Sequence, residues 1–269
     1  MNYRYKFILE YDGNYFPAGW QRQKQLKSAQ ETFEAAIKKA TEESITCQAA
    51  GRTDAGVHAL HQVVHIDLSC SYPISRLLNA TNAALKNEQL VVKQVEFVND
   101  NFQARFSSNI KTYIYKIHNT QIKSVFNRNY AYYIGGVLNF NAMKEALEAL
   151  IVSADFSSFR DSQCQAKKTF RSIENAILDK VNDVHIFSFQ AKSFLHHQVR
   201  IIMGTILEIG RIFAGGKKYH IGNKKDFVVT NMSPKEIIEY ILLQKDRNYA
   251  GITAPAYALY LANVEYEKL

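Results

Sequence analysis

From residue 3 to residue 11 apolar and polar side chains alternate. Tyr3, Tyr5, Phe7, Leu9 and Tyr11 share one face, and Arg4, Lys6, Ile8 and Glu10 share the other. A period of two predicts a strand with one buried face; its other, partly basic face suits either solvent or the wall of a groove. Asp12-Gly13 ends that pattern. Ser28 and Glu31 have the spacing of a capping box, and Phe33, Ala36, Ile37 and Ala40 then recur at helical spacing, which predicts a helix. Residues 62–68 and 90–97 are β-branched or alternating and predict two more strands.

The second half repeats this mixture. Strands are predicted at 113–118 and near 130–134, followed by a helix over 142–152 that turns Met143, Ala146, Leu147 and Leu150 inward. Residues 173–178 and 184–190 read as a hairpin. A long helix over 195–213 carries the apolar stripe Val199, Ile202, Met203, Ile206 and Ile209, and Gly215-Gly216 stops it. Residues 217–232, with Lys217, Lys218, Lys224 and Lys225, form a basic irregular segment that reads as a solvated loop, with contact to a polyanionic partner as the alternative. Ser233-Pro234-Lys235-Glu236 is a second capping box with proline at the first helical position, ahead of Ile237, Ile238, Ile241 and Leu242. A strand over 258–266 closes the chain. The order predicts an α+β protein of two similar halves, 1–106 and 107–269.

Composition narrows the class. The chain has 269 residues and a formal net charge of +8, so a polyanionic partner is favoured but not specified. Sixteen tyrosines and sixteen phenylalanines suit a sheet-rich core and also supply rings on which bases could stack. Cys47, Cys70 and Cys164 are far apart and odd in number, which points to a reducing, cytoplasmic setting. No apolar signal core or membrane-length apolar run is present, so no membrane association is expected.

Residues 51–58, Gly-Arg-Thr-Asp-Ala-Gly-Val-His, stand out because two glycines flank an aspartate just before a strand. Such a loop can aim one carboxylate into a cleft. It can equally be an ordinary turn in which Asp54 bonds nearby amides, and the residues alone favour the turn. The run GRTDAGVHA, however, resembles the signature of the tRNA pseudouridine synthase A family. Further similar runs follow in family order along the whole chain: YDG at 11–13, GWQRQ at 19–23, FQARFS at 102–107, KTYIY at 111–115, DFSSFR at 155–160, QCQ at 163–165, HHQVRIIMG at 196–204 and AGITAPAYALYL at 250–261.

The resemblance implies largely antiparallel sheets around a central RNA-binding cleft. It also implies isomerisation of uridine to pseudouridine at about positions 38–40 of the tRNA anticodon arm, without cofactor or metal, by a homodimer. In that reading Asp54 is the catalytic carboxylate, acting either by attack on C1′ or by removing a proton from C2′; both routes need its ionised form. Arg200 pairs with it, and Tyr113 stacks on the flipped base and takes part in moving the C5 proton. Arg52 holds the RNA and the extruded nucleotide, and Leu259 lies at the pocket floor. Read without the family, Arg200 is a surface or capping arginine and Tyr113 a strand tyrosine. Arg22, Arg105, Arg160, Lys167 and Lys168 are candidate backbone contacts, together with Lys24 and Arg171; of these Lys167, Lys168 and Arg171 form the one evident patch. A tRNA-binding chaperone without essential catalysis is the alternative function.

His58, His61 and His65 could share a helical face and hold zinc, but Val63, Val64 and Ile66 favour a strand, which splits that face. His196 and His197 are adjacent and are expected to point apart on a helix. Two departures from the family pattern bear on the site. The loop NYFPAGW is one residue longer than usual, which leaves the approach of Trp20 and Gln21 to RNA open, and Ala258 replaces a usual glycine.

Overall fold

The computed structural model describes residues 2–216, 220–224 and 226–267. Lys217, Lys218 and Lys225 of the basic segment lie outside the described residues. The chain divides into two compact units, Met1–Lys111 with Tyr260–Leu269, and Thr112–Leu259.

In the first unit β1 (Tyr3–Tyr11) pairs antiparallel with both β3 (His58–Leu68) and β4 (Leu90–Phe97). The short β2 (Gln48–Ala49) also pairs with β3. The alternation predicted for the first strand is realised: Tyr5, Phe7, Leu9 and Tyr11 are buried, while Arg4, Lys6 and Glu10 are half-buried. Ile8 is buried too, because β1 is an interior strand. α1 (Ala29–Thr41) starts where Ser28 accepts from the Glu31 amide, and its Phe33 meets Phe7 edge-on at 5.2 Å. α2 (Ile74–Ala84), which the sequence pattern did not predict, packs on α1 and β4.

In the second unit β5 (Ser108–His118), which begins in the first unit, continues beside β9 (Val184–Ala191). The expected hairpin is formed by β8 (Phe170–Val181) and β9, and the short β7 (Ser153–Asp155) pairs with β8. The strand expected near 130–134 is reduced to β6 (Tyr132–Tyr133), parallel to β5. α3 (Phe140–Glu148), capped by Asn139, α4 (Gln198–Ile212) and α5 (Pro234–Gln244) supply the helices; α3 packs on α4 and α5. The second capping box is complete, with Ser233 and Glu236 exchanging bonds of 3.2 and 2.7 Å. β10 (Leu259–Tyr266) runs parallel to β3, with Tyr260 opposite His58, so nearly all of the closing strand belongs to the first unit. The result is an α+β fold with mostly antiparallel strands.

α4 begins three residues later than the helix expected over 195–213. His197 takes a left-handed conformation at φ 60° and stands at the helix N-cap, while the Gln198 side chain accepts from the Leu195 amide at 2.7 Å. His196 and His197 therefore precede the helix and do not point apart as expected. Their rings stack at 3.9 Å, and the Nδ1 of His197 lies 2.9 Å from Asp161.

Candidate active site

The loop carrying Asp54 connects β2 to β3, and the first unit holds it from several sides. Thr53, buried, exchanges a 2.7 Å hydrogen bond with the phenol of Tyr11 at the end of β1. Burial pushes that phenol up to about 12, so it stays protonated at any physiological pH. The Thr53 carbonyl accepts from the Trp20 amide at 3.1 Å, and the Gly51 carbonyl accepts from the Gln62 side chain at 2.8 Å. Asp54 itself opens a tight turn, its carbonyl accepting from the Val57 amide at 3.1 Å. His58 follows in β3, its ring stacked on Tyr260 at 4.5 Å and its Nδ1 accepting from the Gly13 amide at 3.1 Å.

Gly19 shows how closely this packing is drawn. Its φ is +66°, and a Cβ there would fall 2.5 Å from the Thr53 carbonyl oxygen and 2.7 Å from the Asp54 carbonyl carbon. Only glycine lets the 19–23 loop lie against the backbone of the aspartate loop. Trp20 is consequently 3% exposed, with its ring 6.0 Å from that of Tyr11. It is a core residue that supports the loop, and the exposed Gln21 is the neighbour left to meet a ligand.

The fixed backbone has a consequence that can be measured. Tyr11→Phe removes the hydroxyl and leaves the enclosed Thr53 Oγ1 short of a partner, which costs on the order of 1–3 kcal/mol. Turnover should fall about tenfold through a displaced carboxylate while ligand KM changes little. Steady-state kinetics beside thermal melts check this, and an unchanged kcat would contradict it.

Of the proposed ligand contacts in this unit, Arg52 and Arg105 are exposed. Arg22 is exposed but ion-paired to the buried Glu34. The turn of residues 102–107 is anchored by Ala104, whose amide donates to the Nδ1 of His65 at 3.1 Å and whose carbonyl accepts from the Tyr266 phenol at 2.7 Å. Burial, then the nearby Arg4 guanidinium, hold the His65 pKa below 6.5, with Asp67 opposing. The folded state therefore binds fewer protons than the unfolded chain just below pH 6.5, and stability falls as pH drops through that window. The stability–pH curve of His65→Gln should be flatter than that of the native chain between about pH 6.5 and 5, as followed by urea denaturation. Parallel curves would contradict the assignment.

In the second unit Tyr113 lies on β5, half-buried, with its ring edge-on to Phe194 at 5.2 Å. Tyr115, two residues on, is a core residue whose phenol donates to the Pro255 carbonyl at 3.0 Å. Arg200 sits in the first turn of α4. Its Nε donates to the Ala254 carbonyl at 2.8 Å, and its own carbonyl accepts from the Ala254 amide at 3.0 Å. The guanidinium is thus oriented by the 250–255 segment, which crosses α4 at Gly204. Leu259 is 5% exposed, and Ala258 before it is fully buried. Arg160 helps to line a cleft of about 270 Å³ with Asp161, Lys245 and Arg247. Lys167 and Lys168 are exposed ahead of β8, and Arg171 donates to the Lys168 carbonyl at 3.0 Å.

Sequence reasoning did not single out Tyr11, Trp20, Gln62 or His65 as supports of this loop and its neighbouring turn. The burial of Tyr11 was legible from the strand period, but its pairing with Thr53 has no local pattern. The described residues include no helix long and apolar enough to cross a membrane.

A family model for tRNA pseudouridine synthase matches residues 8–107, which carry the Asp54 loop, and 146–267, which carry Arg200 and Leu259; Tyr113 lies between the two matched segments. The chain belongs to that family. Similar relatives agree over their whole lengths. A protein of Ehrlichia canis (strain Jake) named tRNA pseudouridine synthase A is 41% identical over 267 residues, covering 98% of this chain and 100% of the relative. Proteins of the same name from Wolbachia pipientis wMel and Bartonella tribocorum are 39% and 37% identical, again over 98% of this chain and 100% and 99% of theirs. Within the tRNA pseudouridine synthase family match, the first segment ends at residue 107, after the 102–107 turn, and the second takes in α4 and β10.

Proposed function

We propose that this protein isomerises uridine to pseudouridine in tRNA, at about positions 38–40 of the anticodon arm. The observation that carries the reading is a single carboxylate, Asp54, on a loop held through its backbone by Trp20 and Gln62 and through the Thr53 hydroxyl by Tyr11, in a chain that shares full length with the named synthases. In the reaction the C1′–N1 bond breaks, the base turns over, C5 joins C1′, the C5 proton is lost and N1 takes up a proton, so that the product is an isomer of the substrate. Asp54 serves as nucleophile at C1′ or as base at C2′. Tyr113 meets the uracil ring and takes part in moving the C5 proton. Arg200 serves as the cationic partner of the carboxylate.

The first half carries the aspartate and the second the tyrosine and arginine. The target base must leave its stack before C1′ is reachable, at a cost of a few kcal/mol. Arg52 holds the extruded nucleotide; Arg22, Arg105, Arg160, Lys167 and Lys168 offset the cost through phosphate contacts, and Leu259 lies below the base. Arg22 must leave or share its pairing with Glu34 to do so. The protein works as a cytoplasmic homodimer. The chaperone alternative draws no support from relatives that are all named as synthases.

Release of tritium from tRNA labelled at uridine C5 tests the activity, because joining C5 to C1′ frees that proton. Rapid release by the purified protein is the expected result; tRNA binding without release would favour the chaperone.

A further inference from the structure

Phe102 and Phe106 stand four positions apart, yet their surroundings are opposite. Phe102 is 3% exposed and packs on Tyr266 at 5.0 Å, whereas Phe106 is 72% exposed. An isolated exposed phenylalanine is unremarkable on a protein surface. This one sits on a rigid mount. The Phe106 and Ser107 amides donate to the Gln103 carbonyl at 3.1 and 2.8 Å, and the Gln103 amide donates to the Ser107 hydroxyl at 3.0 Å. Ala104, between them, is bolted to His65 and Tyr266. The Arg105 guanidinium carbon lies 5.4 Å from the centre of the Phe106 ring, within cation–π range, and both side chains are exposed.

The same turn is tied to the aspartate loop. The Ser108 hydroxyl donates to the Arg105 carbonyl at 3.2 Å and accepts from the Lys111 ammonium at 2.6 Å. The Lys111 stem in turn lies against Gly51, where a Cβ would come within 3.7 Å of its Cε. A flat apolar ring paired with a cation, held still and exposed beside a loop that acts on RNA, has the chemistry of a base-stacking platform.

We propose that Phe106, backed by Arg105, stacks on an unpaired nucleobase of the bound tRNA, while Arg105 meets an adjacent phosphate. This deepens the synthase reading and rests on tRNA being the substrate. Stacking is insensitive to salt, whereas a phosphate contact releases counterions, so the two side chains leave different signatures.

The test is the affinity of the full-length protein for an unmodified tRNA transcript, measured across salt concentrations for native protein, Phe106→Ala, Phe106→Leu, Phe106→Trp and Arg105→Ala. Phe106→Ala should weaken binding about tenfold with no change in the slope of log affinity against log salt. Phe106→Trp should restore it and Phe106→Leu should not, with thermal midpoints unchanged in all three. Arg105→Ala should reduce the slope by about one. Native affinity in Phe106→Ala, or full rescue by leucine, would overturn the proposal. So would a change of sedimenting mass at constant tRNA affinity, which would make Phe106 a contact between subunits. Tritium release by the native protein is measured alongside. Its absence with Phe106-dependent binding intact would sink the catalytic reading alone; its presence with Phe106-independent binding would sink the platform alone.

Discussion

Asp54→Asn should reduce pseudouridine formation by about 10⁴-fold or more while tRNA affinity changes less than about threefold. Asparagine keeps the shape of the side chain and removes the charge that either chemical route requires. The turn survives the exchange, because the Asp54 contact that closes it is a backbone carbonyl bonded to the Val57 amide. Thr53, Gly51 and Gly19 are likewise held through groups that the substitution leaves in place. A large loss of turnover with a preserved melting temperature therefore reports chemistry rather than folding. Single-turnover assays at saturating tRNA, with binding measured separately, make the comparison. Residual activity within tenfold of the native protein would remove Asp54 from the reaction.

Gly204→Ala should produce the largest loss of stability of any methyl addition in the second unit. On helix propensity alone the change would stabilise α4 by about 1 kcal/mol. Packing reverses the sign. A Cβ at residue 204 would lie 1.7 Å from the Ile252 carbonyl oxygen and 2.8 Å from its carbon, a backbone contact that no rotamer change can relieve. The crossing segment is fixed on both sides, by the Gly251 amide donating to Thr205 at 2.8 Å and by the paired Arg200–Ala254 bonds. Overpacking against such a backbone costs about 3 kcal/mol or more, enough to lower Tm by roughly 6–12 °C in a chain of this size. Because the displaced segment orients Arg200, kcat should fall as well. A thermal melt within one degree of the native protein would show that α4 and the 250–255 segment are not packed as described.

Elements with strong local periodicity were legible in the sequence. β1 follows its alternation apart from a half-buried Tyr3 and a buried Ile8, and the 170–191 hairpin and α5 follow theirs. α2 was not legible, for two reasons visible in the structure. Its N-cap is Pro73, with no side-chain cap bond, and it buries only Leu77 and Thr81, too few for an apolar stripe. The start of α4 was misplaced because Leu195 continues the helical period, although the chain there turns through a left-handed residue. Adjacent histidines that should diverge on a helix stack instead. The parallel pairing of β10 with β3 joins segments about two hundred residues apart and leaves no trace in either one alone.

The candidate site divides the same way. Asp54 stands out between two glycines, and its family run is long. The supports of the loop, Tyr11 under Thr53 and Gly19 against the Asp54 backbone, are contacts between distant segments. Phe106 was hidden for a different reason. Its sequence neighbourhood does not distinguish it from the buried Phe102, and only exposure separates the two.

The most direct test of the central claim is nucleoside-resolved mapping of an unmodified tRNA transcript after incubation with the purified native protein. Pseudouridine should accumulate at uridines of the anticodon arm with the native chain and be absent with Asp54→Asn. Uridines left unchanged by the native protein, or converted equally by both, would contradict the assignment.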